Sequence, residues 1–338
     1  MRVPYEVRYR RGVHLPAIDL WIDARNGREL AVVSHAHGDH IARHRRALCT
    51  EATRRVLALR TGSGSRRRRA VAEEPPRPGL AYGEELELRD AVLSLHPAGH
   101  VLGSSQVLVR HRGVRVLYSG DIKLRDGRTA EPLEHVECDV LVVEATFGRP
   151  EYRFPPTDHV ARAICDFCLD SVASGVTPVL YAYSLGKGQE VLSHLADAGL
   201  PVVLCGSLFT VTEIYRAMGV DLPEAERGGD TLPRDAVVIC PPHLRGKPWV
   251  RRITPQRTAY ISGWAAESGA ACRLGCDAAF ALSDHADFDE LIRYVERSAA
   301  QQVYTLFGFA EDLARQLRRR GIHAEPLAAS RQLELGLA

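Results

Sequence analysis

Three histidines and an aspartate lie within six residues of one another, in the segment Ser34-His35-Ala36-His37-Gly38-Asp39-His40. They follow an apolar run, Leu30–Val33, that indicates a buried strand. Because side chains alternate along a strand, the His-x-His pair points two imidazoles the same way. The turn through Gly38 lets Asp39 and His40 reach back toward a neighbouring point, so the segment can supply ligands to two adjacent metal ions. Neutral imidazole and carboxylate suit zinc, manganese or iron.

Two further polar residues at predicted strand ends could complete such a centre. His100 lies between Gly99 and the turn Gly103-Ser104-Ser105, and Asp121 follows Tyr118-Ser119-Gly120. The imidazole suits a third nitrogen ligand of the first metal, and the carboxylate can bridge both metals. Each residue alone could be an ordinary turn residue, but their order behind the histidine segment favours a two-metal site.

Composition narrows the class of protein without indicating a partner. The 338 residues suffice for two domains, or for one large domain that carries an insertion. No apolar run is long enough to span a membrane, and Met1–Tyr5 lacks the order of a secretory signal. We therefore expect a cytoplasmic protein without membrane association. Its eight cysteines are expected to be reduced core residues.

The formal charge is nearly balanced, at +2, so the net charge of the whole chain does not indicate whether it binds nucleic acid. Its distribution is more informative, because the arginines cluster. Four form the run Arg66–Arg69, and others lie near the histidine segment: Arg8, Arg10, Arg11, Arg43, Arg45 and Arg46. Such runs are usually solvated surfaces, although beside a metal site they also suit a phosphate-bearing partner.

The predicted elements divide the chain into two regions. In the first, an opening strand runs from Ile18 to Ile22 with Asp19 and Asp23 on one face, and later strands end in polar residues flanked by glycine. From residue 157 helices and strands alternate, which predicts a small parallel α/β unit. The predicted helices are 47–60, 158–174, 186–198, 209–218, 288–298 and 310–320. A loop is predicted for 61–79.

With its motifs in this order, the chain resembles the metallo-β-lactamase superfamily. The motif series is His35-x-His37-x-Asp39-His40, then His100, then Asp121. Glu144 at a strand end and the later Ser283-Asp284-His285-Ala286-Asp287 resemble the added motifs of the β-CASP nucleases of that superfamily. The segment Tyr183–Glu190 is similar to the start of their inserted domain. In length and order the chain is most similar to bacterial ligase-associated DNA damage response exonucleases, relatives of the Artemis group.

This resemblance implies a fold and a ligand set. The expected fold is an α/β, four-layered αββα sandwich, formed by 1–155 and 271–338, with a β-CASP domain inserted at 156–270. His35, His37 and His100 would bind one divalent metal ion, zinc or manganese, and Asp39 and His40 would bind the other. Asp121 would bridge the two ions.

Two more residues receive catalytic roles from the resemblance, besides the metal ligand Asp39. Glu144 would accept a hydrogen bond that orients a metal-bound imidazole. His285 would contact the scissile phosphate or protonate the leaving 3′ oxygen. Asp284 is either the orienting partner of His285 or a helix N-cap residue, and the sequence leaves both open.

Phe307 departs from the pattern of the RNA-processing members of this family. In those proteins the position before the glycine carries a histidine that ligates the second metal, whereas DNA-acting relatives such as Artemis carry an apolar residue. The departure favours a DNA substrate. It also predicts a second metal that is weakly held or absent.

A phosphate pocket is predicted where a helix begins after Tyr183. Ser184 and Lys187 lie at this helix N-terminus, whose free N–H groups and partial positive charge suit a phosphate. Ser104 is a weaker candidate for the same task. Ordinary helix capping explains the segment equally well. Trp264 could stack on a base, or could simply be packed.

Four functions remain to be weighed. The first is an exonuclease that degrades single-stranded DNA ends from 5′ to 3′ as a monomer, in repair beside an ATP-dependent DNA ligase and a helicase. An RNA-processing nuclease is the alternative, against which Phe307 argues. A small-molecule hydrolase would need neither His285 nor the inserted unit, and a non-catalytic binder would be expected to have lost metal ligands.

Overall fold

The computed structural model describes residues 5–62 and 79–327, with backbone alone for residues 61 and 62. They form two compact units. The first comprises 5–62, 79–125, 131–148 and 290–327, and the second comprises 126–130 and 149–289. The arginine run Arg66–Arg69 and most of the predicted loop lie outside the described residues. None of the described helices is long and apolar enough to cross a membrane.

The described chain alternates between strands and helices. In chain order the strands are β1 (Arg8–Tyr9), β2 (Val13–Leu15), β3 (Leu20–Ile22), β4 (Leu30–Val32), β5 (Arg46–Leu48), β6 (Leu86–Leu88), β7 (Ala91–Pro97), β8 (Ser105–His111), β9 (Val114–Tyr118), β10 (Val140–Glu144), β11 (Thr177–Tyr181), β12 (Val202–Leu204), β13 (Glu226–Arg227), β14 (Val237–Cys240), β15 (Gln256–Ile261), β16 (Ala278–Phe280), β17 (Gln302–Leu306) and β18 (Ala324–Pro326). The α-helices are α1 (Glu51–Gly62), α2 (Thr157–Ala173), α3 (Lys187–Leu195), α4 (Gly206–Ala217), α5 (Pro248–Arg251), α6 (Ala270–Leu274), α7 (Phe288–Arg297) and α8 (Ala310–Arg319). The protein is thus of the α/β class.

The first unit contains two sheets that share a hydrophobic core. Among the described residues, one sheet has the order β1-β2-β3-β4-β5 and the other β18-β17-β10-β9-β8-β7-β6. Alternate residues of both sheets, such as Leu20 and Val32 in the first and Val107 and Val142 in the second, belong to one buried cluster. The two sheets therefore pack face to face, as expected from strands with one apolar face.

The predicted helix 47–60 is wrong at its start. Arg46–Leu48 is a strand that pairs in parallel with β4, and the helix begins only at Glu51. Leu48 is buried in the core, and the Thr50 hydroxyl donates to the carbonyl of Gly103 at 2.6 Å. The helix therefore begins later than predicted, because residues 46–48 pair with β4 and the Thr50 side chain bonds to Gly103. The other predicted helices are confirmed within a few residues at each end.

The second unit is a parallel sheet with helical connections. Its described strands have the order β13-β12-β14-β11-β15-β16, and each neighbouring pair is parallel. The predicted α/β alternation is confirmed here. A short stretch from elsewhere in the chain joins this unit: the Thr129 hydroxyl donates to Glu190 Oε2 at 2.8 Å, and the Arg128 N–H lies 3.2 Å from both oxygens of Glu190. Glu190 is buried, so these donors satisfy its carboxylate.

Candidate metal centre

Three neighbouring parallel strands carry polar residues to one edge of the larger sheet in the first unit. Strand β10 pairs in parallel with β9 and with β17, so the carboxyl ends of the three strands meet at the same edge. Asp121 follows β9, Glu144 ends β10 and Phe307 follows β17. The ends of strands in a rigid sheet hold side chains in fixed positions. The sequence analysis predicted polar residues at these strand ends.

Two glycines allow the loops of this edge to approach one another. Gly120 has a φ of +59°, and a Cβ there would lie 3.0 Å from the carbonyl oxygen of Ser105. Gly99 has a φ of +77°, and a Cβ there would lie 2.1 Å from the carbonyl oxygen of Lys123. A side chain at Gly99 would clash with the backbone. At Gly120 it would be crowded and strained by the positive φ, so glycine suits both turns.

Three imidazole nitrogens and one carboxylate oxygen converge in the first unit. His37 Nδ1 lies 3.1 Å from His35 Nε2 and 3.0 Å from His100 Nε2. Asp121 Oδ2 lies 3.5 Å from His35 Nε2 and 3.8 Å from His100 Nε2. The four ligand atoms all lie within 4.8 Å of one another. Ligands of a tetrahedral zinc ion, with bonds of about 2.0–2.1 Å, are about 3.3 Å apart, so this spacing fits.

Asp23, which the sequence analysis did not assign to the centre, is its main anchor. Asp23 Oδ1 accepts from the Ser34 N–H at 2.7 Å, and Oδ2 accepts from the Ser34 hydroxyl at 2.6 Å and the Tyr118 hydroxyl at 2.8 Å. His40 Nδ1 lies 2.8 Å from the same Oδ2. The available signal was that Asp23 directly follows strand β3, as the other site residues follow their strands.

These hydrogen bonds fix the tautomers of two ligand rings. The Ser34 hydroxyl gives its one hydrogen to Asp23, so at 3.0 Å from His35 Nδ1 it accepts from the ring. His40 Nδ1 donates to Asp23 in the same way. Each neutral ring then has its Nε2 lone pair free for a metal. These nitrogen lone pairs and the Asp121 carboxylate form a donor set that fits a divalent cation.

Burial and charge act differently on the two rings. Burial lowers the pKa of His35 well below 6.5, and the positive charge of His40 acts in the same direction. Burial also disfavours the charged form of His40, but the carboxylates of Asp121 and Asp23 outweigh it and raise the pKa of His40 well above 6.5. His35 is therefore neutral near pH 7, whereas His40 holds a proton that an incoming cation displaces.

The second predicted ligand set is less tightly assembled. His40 Nε2 lies 3.4 Å from Asp121 Oδ2 and 3.7 Å from Asp39 Oδ2. The Asp39 side chain is 57% exposed, and Arg25 holds it from the other side: its Nε donates to the Asp39 carbonyl at 2.8 Å, and its guanidinium lies 3.9 Å from Oδ2. The ring of Phe307 meets the His40 ring edge-on at 5.6 Å between centroids. An apolar ring and a cation thus border the second ligand set.

Glu144 and Ser104 support the loops that carry ligands. Glu144 Oε1 accepts from the backbone N–H of Ile122, the residue after Asp121, at 2.9 Å, and its Oε2 accepts from Thr146 N–H at 3.2 Å. Buried Ser104 accepts from the Val101 N–H at 3.1 Å and so closes the turn after His100. The predicted roles of Glu144 in orienting an imidazole and of Ser104 in binding phosphate stay predictions.

The remaining predicted site residues lie in the second unit. Lys187 is buried at the first position of α3, and its Nζ lies 3.0 Å from Asp284 Oδ1. Ser184 Oγ lies 3.2 Å from Ser207 Oγ, and the Tyr183 ring is 43% exposed. Asp284 is thus paired with Lys187. Neither sequence hypothesis for Asp284, as the orienting partner of His285 or as a helix N-cap, included this ion pair.

His285 and Trp264 also lie in the second unit. The Ser283 hydroxyl accepts from the His285 N–H at 3.0 Å, which orders the turn before α7. The Trp264 ring meets the Tyr152 ring edge-on at 5.5 Å between centroids, so packing explains this tryptophan. The roles predicted for His285, Ser184, Lys187 and Tyr183 stay predictions.

Asp23→Asn tests the anchor of the ligand rings. The amide cannot accept from all four donors of Asp23, so His40 and His35 lose their fixed orientation. We expect metal affinity to fall about 10- to 100-fold and the free energy of unfolding to fall by about 1–3 kcal/mol. Metal content after dialysis against chelator-buffered Zn²⁺, together with thermal denaturation, measures both. Asp19→Asn, which changes an exposed aspartate paired with His14, is the matched control. Unchanged metal content in Asp23→Asn would contradict the anchor role.

Comparison with known proteins supports a superfamily for the chain. No family model matches the chain. A probable DNA ligase of Opitutus terrae is 42% identical over 337 residues, which cover 99% of this chain and 32% of the ligase. RNase aCSPSF2 of Saccharolobus solfataricus is 35% identical over 140 residues, which cover 40% of this chain and 28% of that protein. These relatives support a place for the chain in the β-CASP/metallo-β-lactamase superfamily. The chain spans about a third of the length of these two relatives or less.

A solved structure has a similar fold. A protein of unknown function from Enterococcus faecalis superposes with a TM-score of 0.55 at 14% identity, over 90% of this chain and 80% of that one. The convergence of His35, His37, His100 and Asp121 is a candidate metal centre on the geometry of its donor atoms.

Proposed function

We propose that this protein is a metal-dependent exonuclease that hydrolyses phosphodiester bonds of single-stranded DNA from 5′ to 3′. The observation that carries the proposal is the convergence of His35, His37, His100 and Asp121 within 4.8 Å. The relatives of the chain, which support the β-CASP/metallo-β-lactamase superfamily, favour the same function. Two divalent ions, zinc or manganese, would supply the Lewis-acid chemistry and the activation of water that phosphodiester hydrolysis requires.

The side chains of the centre then have separate tasks. His35, His37 and His100 would hold the first ion, Asp39 and His40 would hold the second, and Asp121 would serve both. The carboxylate of Asp23 keeps the ring of His40 in the metal-binding tautomer, directly by hydrogen bonding, and that of His35 through Ser34. The hydrogen bond from Ile122 to Glu144 fixes the backbone beside Asp121. We assign to His285 the protonation of the leaving 3′ oxygen.

The fold proposed with this function is an αββα sandwich with an inserted β-CASP domain at 156–270. Two observations support it. In the first unit, two sheets share one core, and in the second unit a wholly parallel sheet has helical connections. The described second unit extends to residue 289, beyond the proposed boundary of the insertion.

DNA is the preferred substrate for two reasons. Phe307 occupies the position at which RNA-processing members carry a metal-binding histidine, and here it packs against the His40 ring. A relative that matches nearly the whole chain is named a probable DNA ligase. The name of RNase aCSPSF2 favours RNA as the alternative substrate. We further propose that the protein acts as a monomer in repair, with an ATP-dependent ligase and a helicase as partners.

Digestion of matched DNA and RNA strands tests the proposal. Single strands of one sequence, labelled at the 5′ or the 3′ end, are incubated with Zn²⁺ or Mn²⁺. We expect DNA to be cut at least tenfold faster than RNA, with early release of the 5′ label. Faster cleavage of RNA would establish the alternative, and early release of the 3′ label would reverse the polarity. His37→Ala serves as the blank for contaminating nuclease.

A further inference from the structure

An acid-free stretch of the second unit carries an excess of positive charge. Between Asp235 and Glu267 the sequence contains no aspartate or glutamate, but it contains the cations Arg245, Lys247, Arg251, Arg252 and Arg257. Two of these cations already contact other residues of the unit. Arg245 donates to the carbonyls of Leu274 and Gly275, and Arg257 lies over the ring of Phe167 at 4.6 Å.

The other three cations, Lys247, Arg251 and Arg252, are exposed and have no ion pair among the residues that the structure describes. Several other arginines of the same unit, in contrast, pair with a carboxylate. Arg153 lies 2.6 Å from Asp289, Arg216 lies 2.6 Å from Glu213, and Arg273 lies 2.7 Å from Glu267. Charge neutralisation is therefore common in this unit, but the described residues supply none at these three positions.

These cations adjoin a groove of about 650 Å³. Its lining includes Thr177, Ala236 and Thr254, which lie at or just before the amino ends of β11, β14 and β15. The groove therefore lies at the amino edge of the parallel sheet, opposite the edge where Tyr183 to Lys187 follow β11. The cations thus form a surface separate from the predicted phosphate pocket.

The walls of the groove combine an aromatic ring with charge. Trp249 and Arg252 line it, and Trp249 is held by a hydrogen bond from Nε1 to the Gly229 carbonyl at 2.8 Å. Arg234, Asp230 and Asp235 also line it, and Asp235 lies 3.5 Å from Arg234. The two arginines and two aspartates that line the groove balance one another. The excess positive charge comes from Lys247 and Arg251, which lie on either side of Trp249 in the sequence.

We propose that Lys247, Arg251 and Arg252 bind the phosphodiester backbone of a nucleic-acid strand. Unpaired, exposed cations beside an aromatic groove are the arrangement of surfaces that track single strands without reading their sequence. The proposal rests on the proposed nuclease function for its choice of a single strand. Binding here adds affinity that depends on salt and not on base sequence.

Fluorescence anisotropy with a labelled oligo-dT strand, in EDTA so that no cleavage occurs, tests the proposal. The surface variant carries Lys247→Gln, Arg251→Gln and Arg252→Gln. Each lost phosphate contact should flatten the plot of log K against log salt by about 0.7. We expect a slope smaller by about 2 and an affinity at least tenfold weaker near 0.1 M KCl.

The matched control carries Arg153→Gln, Arg216→Gln and Arg273→Gln, which remove the same net charge from paired positions of the same unit. We expect it to change affinity less than twofold. Equal slopes for the wild type and the surface variant would overturn the proposal, as would an equal loss in the control. If the wild type binds DNA but does not cut it with metal, the nuclease function fails while the surface stands. If it cuts DNA and the slopes are equal, only the surface fails.

Discussion

Asp121→Asn is expected to abolish DNA cleavage, with a rate at least about 10³-fold below that of the wild type. A metal ion contributes several kcal/mol of transition-state stabilisation, and every 1.36 kcal/mol is a factor of about ten. Asp121 Oδ2 lies within 3.8 Å of the Nε2 atoms of His35, His40 and His100. A neutral amide in its place cannot serve both ligand sets. His37→Ala removes the nitrogen between His35 and His100 and should have the same effect.

Initial rates on labelled single-stranded DNA at saturating Mn²⁺ measure this loss. Circular dichroism and thermal denaturation show whether each variant is folded. Asp90→Asn is the matched control, because Asp90 also pairs with a histidine, His111 at 2.9 Å, but outside the centre. Full activity of purified Asp121→Asn or His37→Ala would refute the two-metal account, whatever substrate the enzyme prefers.

Lys187→Met is expected to lower the free energy of unfolding by about 3–5 kcal/mol. Lys187 is 3% exposed, and its Nζ lies 3.0 Å from Asp284 Oδ1, so the variant leaves a buried carboxylate without this cation. The melting temperature should fall by roughly 10 °C. Lys247→Met, which replaces an exposed lysine, should leave it nearly unchanged. A stability equal to that of the wild type would contradict the structural role.

The double variant Lys187→Met with Asp284→Asn separates stability from phosphate binding. Removing both charges should restore part of the lost stability, because a buried ion pair contributes little net energy over a neutral pair. The ratio of rates on 5′-phosphorylated and 5′-hydroxyl strands then tests the predicted pocket. We expect the double variant to lose the preference for a 5′ phosphate, and an unchanged ratio would remove Lys187 from phosphate binding.

The residues of the candidate metal centre could be proposed from sequence because their signal is local. His35, His37 and His40 lie within one short segment, and the alternation of a strand dictates which rings share a face. His100 and Asp121 needed only the expectation that ligands gather at strand ends. The same expectation extends to Asp23, yet a single aspartate after a short strand gives no spacing signal. Its four donors come from Ser34, His40 and Tyr118, which only the folded chain brings together.

Long-range partners account for the rest of what the sequence did not predict. Lys187 at a helix N-terminus looked available for a ligand, but its partner Asp284 is distant in sequence and is buried with it. Strand β5 was predicted as helix because its pairing with β4 is not visible in its own composition. Elements with strong internal periodicity, such as α7, were predicted closely.

The contact of Thr129 and Arg128 with Glu190 has a consequence for dissecting the molecule. A fragment cut at residues 149 and 289 would contain Glu190 but lack the short stretch that satisfies it. Its carboxylate would then be desolvated without these donors, which opposes folding of the fragment. Simple truncation removes residues 126–130 and with them the donors to Glu190. To express the second unit alone, a permuted gene should therefore join residues 126–130 to one end of the fragment.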